Sequence, residues 1–406
     1  MDMNPPDIAP QLDLEYYPNI TRKHATVQDA LARTGTPVFL CDRDILIARY
    51  HALDRCLSAS WHQHVIGYSF KTNYLVARSG ILQQEGAWAE VVSGREYRLA
   101  LELGYPGRSI IFNGPYKTDI DLQSAIDDGA LVNINDQDEL DRLIGSANSA
   151  KVRVEIGLRL SGTLPKLGHS RFGFSMENGE ALTALEKIHR NPRVSLVALH
   201  THLYGDTDEA DIYRHAAEQV GEFAKHHLAD YPGSLKYIDL GGGFPAHTPK
   251  PKSRDSWNPQ EIEVYIRTIT DSLKHYFPHE QRRPSLIVEP GRYLTCDGII
   301  LVTRVIHVKH RDGKQIVNCD GSISMVPLTH YCPQIIRAYT EDIQPRTGHE
   351  TQTIIHGSTC RENDILYEGA FVETKPGDYL VHYAAGAYNS NLSPNFIFES
   401  PGMELI

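Results

Sequence analysis

Lys71 draws attention first. It follows an apolar, β-branched run, Val65–Phe70, within the segment YSFKTN (68–73). A lysine drawn partly out of water has a lowered pKa and can form a Schiff base with a carbonyl, whereas a solvated lysine at a strand end does nothing of the kind. Glu289 lies in VEPGRY (288–293). A carboxylate there can pair with a protonated ring nitrogen or simply bond to the rim of the fold. Gly241-Gly242-Gly243, in YIDLGGGFP (237–245), either lets backbone N–H groups approach an oxyanion or makes a tight turn. Arg292 would add a charge-assisted fork to the same anion. His200 and His202 stand two apart in HTHL (200–203), suited to ring stacking, a structural bond or a metal. No third and fourth ligand stands at useful spacing, so no metal is expected.

These residues act together only if the elements that carry them bring them to one place. After an initial strand near Thr36–Cys41, eight apolar strands are expected. They are Val65–Phe70, Trp88–Val92, Ser109–Asn113, Leu131–Ile134, Val154–Leu160, Leu196–His200, Lys236–Leu240 and Ser285–Glu289. Helical stretches such as Gly94–Leu103, Asp136–Ala147, Glu180–His189, Asp208–Leu228 and Pro259–Phe277 lie between them. Near-continuous apolar strands alternating with helices read as a parallel sheet covered by helices. Eight such units match a (β/α)8 TIM-like barrel, with a doubly wound open sheet as the rival. From Gly298 the chain changes to strands and turns: IILVTRVIHVK, KQIVNCD, TQTIIHG, AFVETK and DYLVHYA. This reads as a C-terminal β-sandwich or β-barrel domain that also takes in N-terminal residues. The expected division is an N-terminal segment 1–44 joining the β domain, a barrel over 45–296 and the β domain over 297–406. The polar, proline-rich stretch 247–260 reads as a surface loop.

In such a barrel, chemistry lies at the C-terminal ends of the strands. The expected strands carry or run into Lys71, Glu90, Asn113-Gly114, Arg159, His200 and His202, the three glycines, and Glu289 to Arg292. A Schiff-base lysine, an anion nest and an acidic residue at one barrel end together point to pyridoxal phosphate. Glu289 would then face the pyridine nitrogen and His202 the ring face.

Composition narrows the classes. The chain has 406 residues, room for two domains or a large barrel with an appendage. A net charge of −11 argues against nonspecific binding to nucleic acid or to an anionic membrane, which needs a basic surface. No run reaches the 18 apolar residues of a membrane span. The six cysteines include no CxxC pair and are too sparse for a disulfide scaffold, which fits a reduced compartment. The segment MDMNPPDIAPQLDLEYYPN lacks the basic and apolar regions of a signal peptide, so a cytoplasmic location is expected.

Nine segments in order carry a resemblance over roughly Pro37 to Phe398. They are YSFKTN, AEVVSGREY (89–97), IIFNGPYK (110–117), VNINDQDEL (132–140), HTHL, YIDLGGGFP, VEPGRY, GSTCREND (357–364) and GAYNSN (386–391). The chain resembles the fold-type III pyridoxal-phosphate-dependent decarboxylases, the group of the diaminopimelate, ornithine and arginine decarboxylases, and its motifs are closest in style to the diaminopimelate type. The resemblance implies an amino-acid carboxy-lyase working as a head-to-tail homodimer with sites at the interface. It implies that Lys71 holds the cofactor and that His202 stacks on its ring. Gly241, Gly242, Gly243, Gly291, Arg292 and Tyr388 would cradle the phosphate, and Glu289 would face the pyridine nitrogen. Glu90 takes the place of the acidic residue near the lysine, and Arg159 that of the arginine near the cofactor. Cys360 is similar to the cysteine that crosses from the partner subunit and reprotonates the carbanion.

The departures from that pattern bear on the substrate. His202 is followed by Leu203-Tyr204-Gly205-Asp206 rather than by glycine-serine. Tyr331-Cys332 stands where ornithine decarboxylases have tyrosine-aspartate, and no clear arginine-proline pair precedes Tyr331. Arg361 follows the cysteine where the family has an acidic residue. A cationic Arg361 would repel a distal ammonium, which argues against ornithine, lysine and arginine as substrates. Arg361, Tyr331 and Cys332 are therefore the candidate substrate residues. The expected substrate is a small amino acid with an acidic or polar distal group, as in specialised metabolism such as siderophore biosynthesis. The alternatives are a racemase on the same barrel, diaminopimelate decarboxylation proper, and a non-catalytic regulator. Cys360 and the GAY motif favour decarboxylation, and intact Lys71, Glu289, Arg292 and Cys360 argue against the regulator.

Overall fold

A computed structural model of the chain describes residues 16–149, 153–166, 168–202, 207–228, 235–248, 250, 257–330, 332 and 334–406. After β1 (Val38–Cys41) come β2 (His64–Ser69), β3 (Trp88–Val91), β4 (Ile110–Phe112), β5 (Leu131–Ile134), β6 (Val154–Ser161), the two-residue β7 (Phe174–Ser175), β8 (Val194–His200), β9 (Tyr237–Asp239) and β10 (Ser285–Val288). The pairing order is β5-β4-β3-β2-β10-β9-β8-β6, and β5 also pairs with β6. The sheet is therefore closed, and its eight strands run parallel. This is the (β/α)8 barrel, and the open-sheet rival is excluded.

The local sequence explains the closure. A barrel strand is covered by side chains inside and by helices outside, so it must be apolar on both faces. All seven residues of β8, VSLVALH, are buried. The outer helices bury one stripe each. In Ile262–Tyr276 the buried Ile262, Tyr265, Ile266, Ile269 and Leu273 recur at three- and four-residue spacing. Inside the barrel, Ile111, Leu131, Val197, Ala198 and Ile287, with Val65, Trp88 and Tyr237 against them, form a separate apolar cluster. Much of it comes from the first residues of the strands, so the bottom of the barrel is plugged and the polar interior lies at the C-terminal mouth.

The second unit comprises β11 (Ile299–Arg311), β12 (Lys314–Cys319), β13 (Ile336–Tyr339), β14 (Glu350–His356), β15 (Ile365–Val372), β16 (Tyr379–His382) and β17 (Met403–Leu405). Its order is β13-β16-β11-β12-β14-β15, mostly antiparallel. The N-terminal β1 belongs to this sheet: Val38 faces Val302 and Cys41 faces Ile299, and β17 pairs with β1 on its other side. A register shift between Val305 and His307 divides β11, whose first half pairs with β1 and β16 and whose second half pairs with β12. Such a bulge bends a strand and curls the sheet.

Two strands of this unit were not expected, β13 and β17. The first is a four-residue run interrupted by the exposed Arg337, and the second has only three residues. β15 begins at Ile365, earlier than the expected AFVETK, because Glu368 and Gly369 break the apolar run without breaking the pairing to β14. Among the described residues, no helix is long and apolar enough to cross a membrane.

Candidate active site

A cavity of about 480 Å³ opens at the C-terminal mouth of the barrel. Lys71 reaches it from a one-turn helix, Phe70–Thr72, at the end of β2. The turn is tightly held. Asn73 caps the next helix by accepting from the Leu75 and Val76 amides at 2.9 and 3.1 Å. Its own amide donates to the Gly386 carbonyl at 2.6 Å. Asn391 donates to the carbonyls of Phe70 and Lys71, and the Tyr388 amide to that of Thr72. The segment 386–391 therefore latches onto the loop that carries the lysine.

Lys71 Nζ donates to Glu90 Oε2 at 2.5 Å and to Ser69 Oγ at 2.8 Å, and Ser69 in turn donates to Glu90. Burial works against the lysine charge, but the carboxylates of Glu90 and Glu289 outweigh it and hold the pKa above the ordinary lysine value. This overturns the expected lowered pKa. The expectation considered desolvation alone and did not include Glu90 as an ion-pair partner.

Beyond β10, Glu289 is fully buried beside two imidazoles. Its Oε2 lies 3.3 Å from His202 Nδ1 and 3.8 Å from His200 Nε2. The three ligating atoms fall within 4.8 Å of one another, so the third group that sequence spacing did not reveal comes from a different strand. Burial lowers the His200 pKa to about 4, and the ring is neutral near pH 7. Both of its nitrogens are buried without a hydrogen-bond partner. Behind Glu289 stands Asp239, the last residue of β9, also fully buried. It accepts the Gly241 amide at 2.9 Å. Burial and the neighbouring Glu289 charge push the Asp239 pKa well up. Burial opposes the Glu289 charge too, but His200 and His202 hold its pKa well below the usual range. Of two carboxyl groups this close, one keeps its proton. Here that is Asp239.

The remaining wall is cationic. Arg292 lies with its guanidinium 5.1 Å above the Tyr388 ring, and both line the cavity with Gly243 and Gly291. Arg159, on β6, lies 4.8 Å over Phe172, and burial lowers its pKa.

The cavity thus gathers Lys71, Glu90, Arg159, His202, Gly243, Glu289, Gly291, Arg292 and Tyr388 from distant parts of the chain. Gly241 and Gly242 are not in its lining. A Cβ on Gly241, at φ +64°, would lie 2.4 Å from His202 Nδ1, and one on Gly242 would lie 2.3 Å from the Glu289 carbonyl. These two glycines let the β9 turn pack under the histidine and the glutamate. Cys360 and Arg361 sit exposed in the loop between β14 and β15, and neither lines the cavity of its own chain, nor does Cys332. Arg361 Nε donates to Asn363 Oδ1 at 3.2 Å rather than pairing with Glu362. Tyr331 and the stretch 203–206 lie outside the described residues. Asn113 was placed at the barrel mouth but given no role, and Asp239 and Phe172 were missed. The available signal was a polar residue inside an apolar strand, IIFN and YIDL, which burial tolerates only when it is hydrogen-bonded.

The donor set fits one cofactor type. A primary amine stands at one wall, an ionised carboxylate backed by imidazoles at the floor, and a guanidinium with two glycines at another wall. These match an aldehyde, a ring nitrogen and a phosphate. The fold and site therefore define a barrel enzyme built for pyridoxal phosphate. The comparisons agree. Residues 43–296 match the family model described as pyridoxal-dependent decarboxylase, pyridoxal binding domain. A diaminopimelate decarboxylase of Aquifex aeolicus is 26% identical over 388 residues, covering 93% of this chain and 88% of that protein. A probable chloroplastic diaminopimelate decarboxylase of Oryza sativa subsp. japonica is 28% identical over 387 residues, covering 91% and 75%. The crystal structure of the M. jannaschii diaminopimelate decarboxylase in complex with L-lysine shares the fold with a TM-score of 0.82 at 21% identity, over 94% of this chain and 89% of that one. The chain belongs to the pyridoxal-dependent decarboxylases: its cofactor is pyridoxal phosphate and its reaction the decarboxylation of an amino acid.

Proposed function

We propose that this decarboxylase acts on an amino acid whose distal end is acidic or polar, at a site shared between two subunits. Bound pyridoxal phosphate supplies an aldehyde for amines and a ring that takes up the electron pair freed by loss of CO2. Lys71 would hold the aldehyde carbon and later release the product amine. Glu90, bonded to the Lys71 amine, would fix its position and take up the proton that the amine must shed before it can attack a carbon. Glu289, ionised, would hold the pyridine nitrogen protonated, and the proton on Asp239 keeps that charge single. His202 would cover one ring face. Arg292, Gly243, Gly291 and Tyr388 would hold the phosphate. Cys360 of the partner subunit would deliver the proton to the carbon that loses CO2.

The observation that carries the shared site is the position of Cys360, an exposed thiol outside its own cavity. A head-to-tail homodimer brings that loop to a second cavity, and Arg361 arrives with it. Free thiols at all six cysteines support a cytoplasmic location. The match over 43–296 supports placing the barrel at 45–296, with 1–44 and 297–406 as the β domain.

The substrate class rests on Arg361, which would fork onto a distal carboxylate. CO2 release from L- and D-amino acids, run with the native protein and Arg361→Glu, tests it. Acid-bearing substrates should lead, and the variant should lose about tenfold or more in kcat/KM on them, the value of a charge-assisted bond. An unchanged preference overturns the assignment. Diaminopimelate decarboxylation proper is the second reading, favoured by the names of the relatives. Turnover of meso-diaminopimelate above all other substrates would select it.

A further inference from the structure

The two carboxylates that serve the cofactor are joined by one side chain. Asn113, at the end of β4, is buried in the cavity wall. Its amide nitrogen donates to Glu90 Oε1 at 3.0 Å and also to Glu289 Oε1, so both of its N–H bonds are committed. Its oxygen accepts from Asn133 Nδ2 at 2.8 Å, and that nitrogen also points to Asp239 Oδ2 at 3.4 Å. The orientation is forced, since a flipped amide would set its oxygen against two carboxylates. Gly157 makes room for the second amide: a Cβ there would lie 1.8 Å from Asn133 Oδ1.

The fork sorts the oxygens of each carboxylate. Oε1 of both glutamates is held by Asn113. Oε2 of Glu90 is left for Lys71 and Ser69, and Oε2 of Glu289 for His202. We propose that Asn113 is a positioning residue which, oriented by Asn133, locks Glu90 and Glu289 into one unit and so sets the distance and angle between the lysine end and the ring-nitrogen end of the cofactor. This rests on the reading of Lys71 and Glu289 as the partners of pyridoxal phosphate. The proposal differs from a packing role because it depends on two donors at that point and on neither size nor shape.

The test strips the full chain of pyridoxal phosphate and titrates it back. The readouts are the dissociation constant and the circular dichroism of the visible band that depends on Lys71, with the thermal midpoint as a control of folding. Asn113→Asp keeps the shape but replaces the donors by acceptors. It should weaken cofactor binding more than Asn113→Ala, which itself should weaken it about tenfold or more, because two buried carboxylate oxygens lose their donor. Asn133→Ala should act in the same direction and less. The double Ala variant should be little worse than Asn113→Ala alone, because Asn133 reaches the two glutamates through Asn113 and otherwise makes only a long contact to Asp239. If Asn113→Ala does not fold, Asn113→Asp and Asn133→Ala carry the same readings. Binding and dichroism within twofold of native for Asn113→Asp overturn the proposal. Absence of a Lys71-dependent band in the native protein overturns the cofactor reading instead.

Discussion

Asp239 shows how a buried carboxyl group serves by not being charged. Burial and the charge of Glu289 push its pKa well up, so the pair favours a single negative charge, on Glu289. Asp239→Asn keeps a hydrogen-bond donor and should retain about tenfold more kcat/KM than Asp239→Ala, which leaves the Gly241 amide and Glu289 without their partner. Equal losses in the two variants would mean that Asp239 is ionised or irrelevant. Membership of the cavity was legible where a reactive type ended an apolar strand, as with Lys71, Glu289, His202 and Arg292. It was not legible where a polar residue acts through others. Asn113, Asn133 and Asp239 each sit inside apolar runs, and only the closed barrel brings them together. The Lys71 pKa was misjudged although Glu90 was already placed near it, because the charge of that carboxylate was not set against desolvation.

At the scale of elements, the eight barrel strands were legible because double-sided burial demands continuous β-branched runs. The short β13 and β17 were not, because pairing rather than composition makes them strands. What fastens the elements is also local and polar. Lys117, fully buried after β4, donates to Glu139 Oε1 at 2.6 Å and to the carbonyls of Gly114 and Asn133 at 3.1 Å. Burial lowers its pKa although Glu139 opposes the shift. The bond ties the turn after β4 to β5 and to the helix Gln137–Ser149. Lys117→Met leaves Glu139 as an unpaired buried charge and should cost about 3–5 kcal/mol in urea unfolding. A loss below about 1 kcal/mol would show that the pair is incidental.

Buried imidazoles and buried carboxyls pull the acid stability of the whole molecule in opposite directions. Burial lowers His382 to about 3 and His200 to about 4, so both rings are neutral in the folded chain. Unfolding lets each take a proton below its usual 6.5. Their contribution is therefore complete above pH 6.5 and falls as the pH drops toward 4 and 3, at about 1.4 kcal/mol per pH unit for each group. Asp297, which burial raises to about 6, and Asp239, also raised, act oppositely in that range and offset both of them. His382→Gln, far from the cavity and bonded to Thr303 Oγ1 at 3.1 Å in the native chain, removes one imidazole from that balance, so its stability at about pH 5 relative to pH 7 should exceed the native chain's. An unchanged ratio would show that His382 takes up no proton on unfolding. If the proposed site is shared, the whole molecule also decides catalysis, because Lys71 and Cys360 of one chain do not share a cavity. The most direct measurement mixes Lys71→Ala with Cys360→Ala under conditions of subunit exchange and follows CO2 release. Each variant alone should be inactive. The mixture should recover up to about a quarter of native activity, since random exchange makes half the dimers mixed and each mixed dimer has one intact site. No recovery, with exchange verified, would contradict a site built from two subunits.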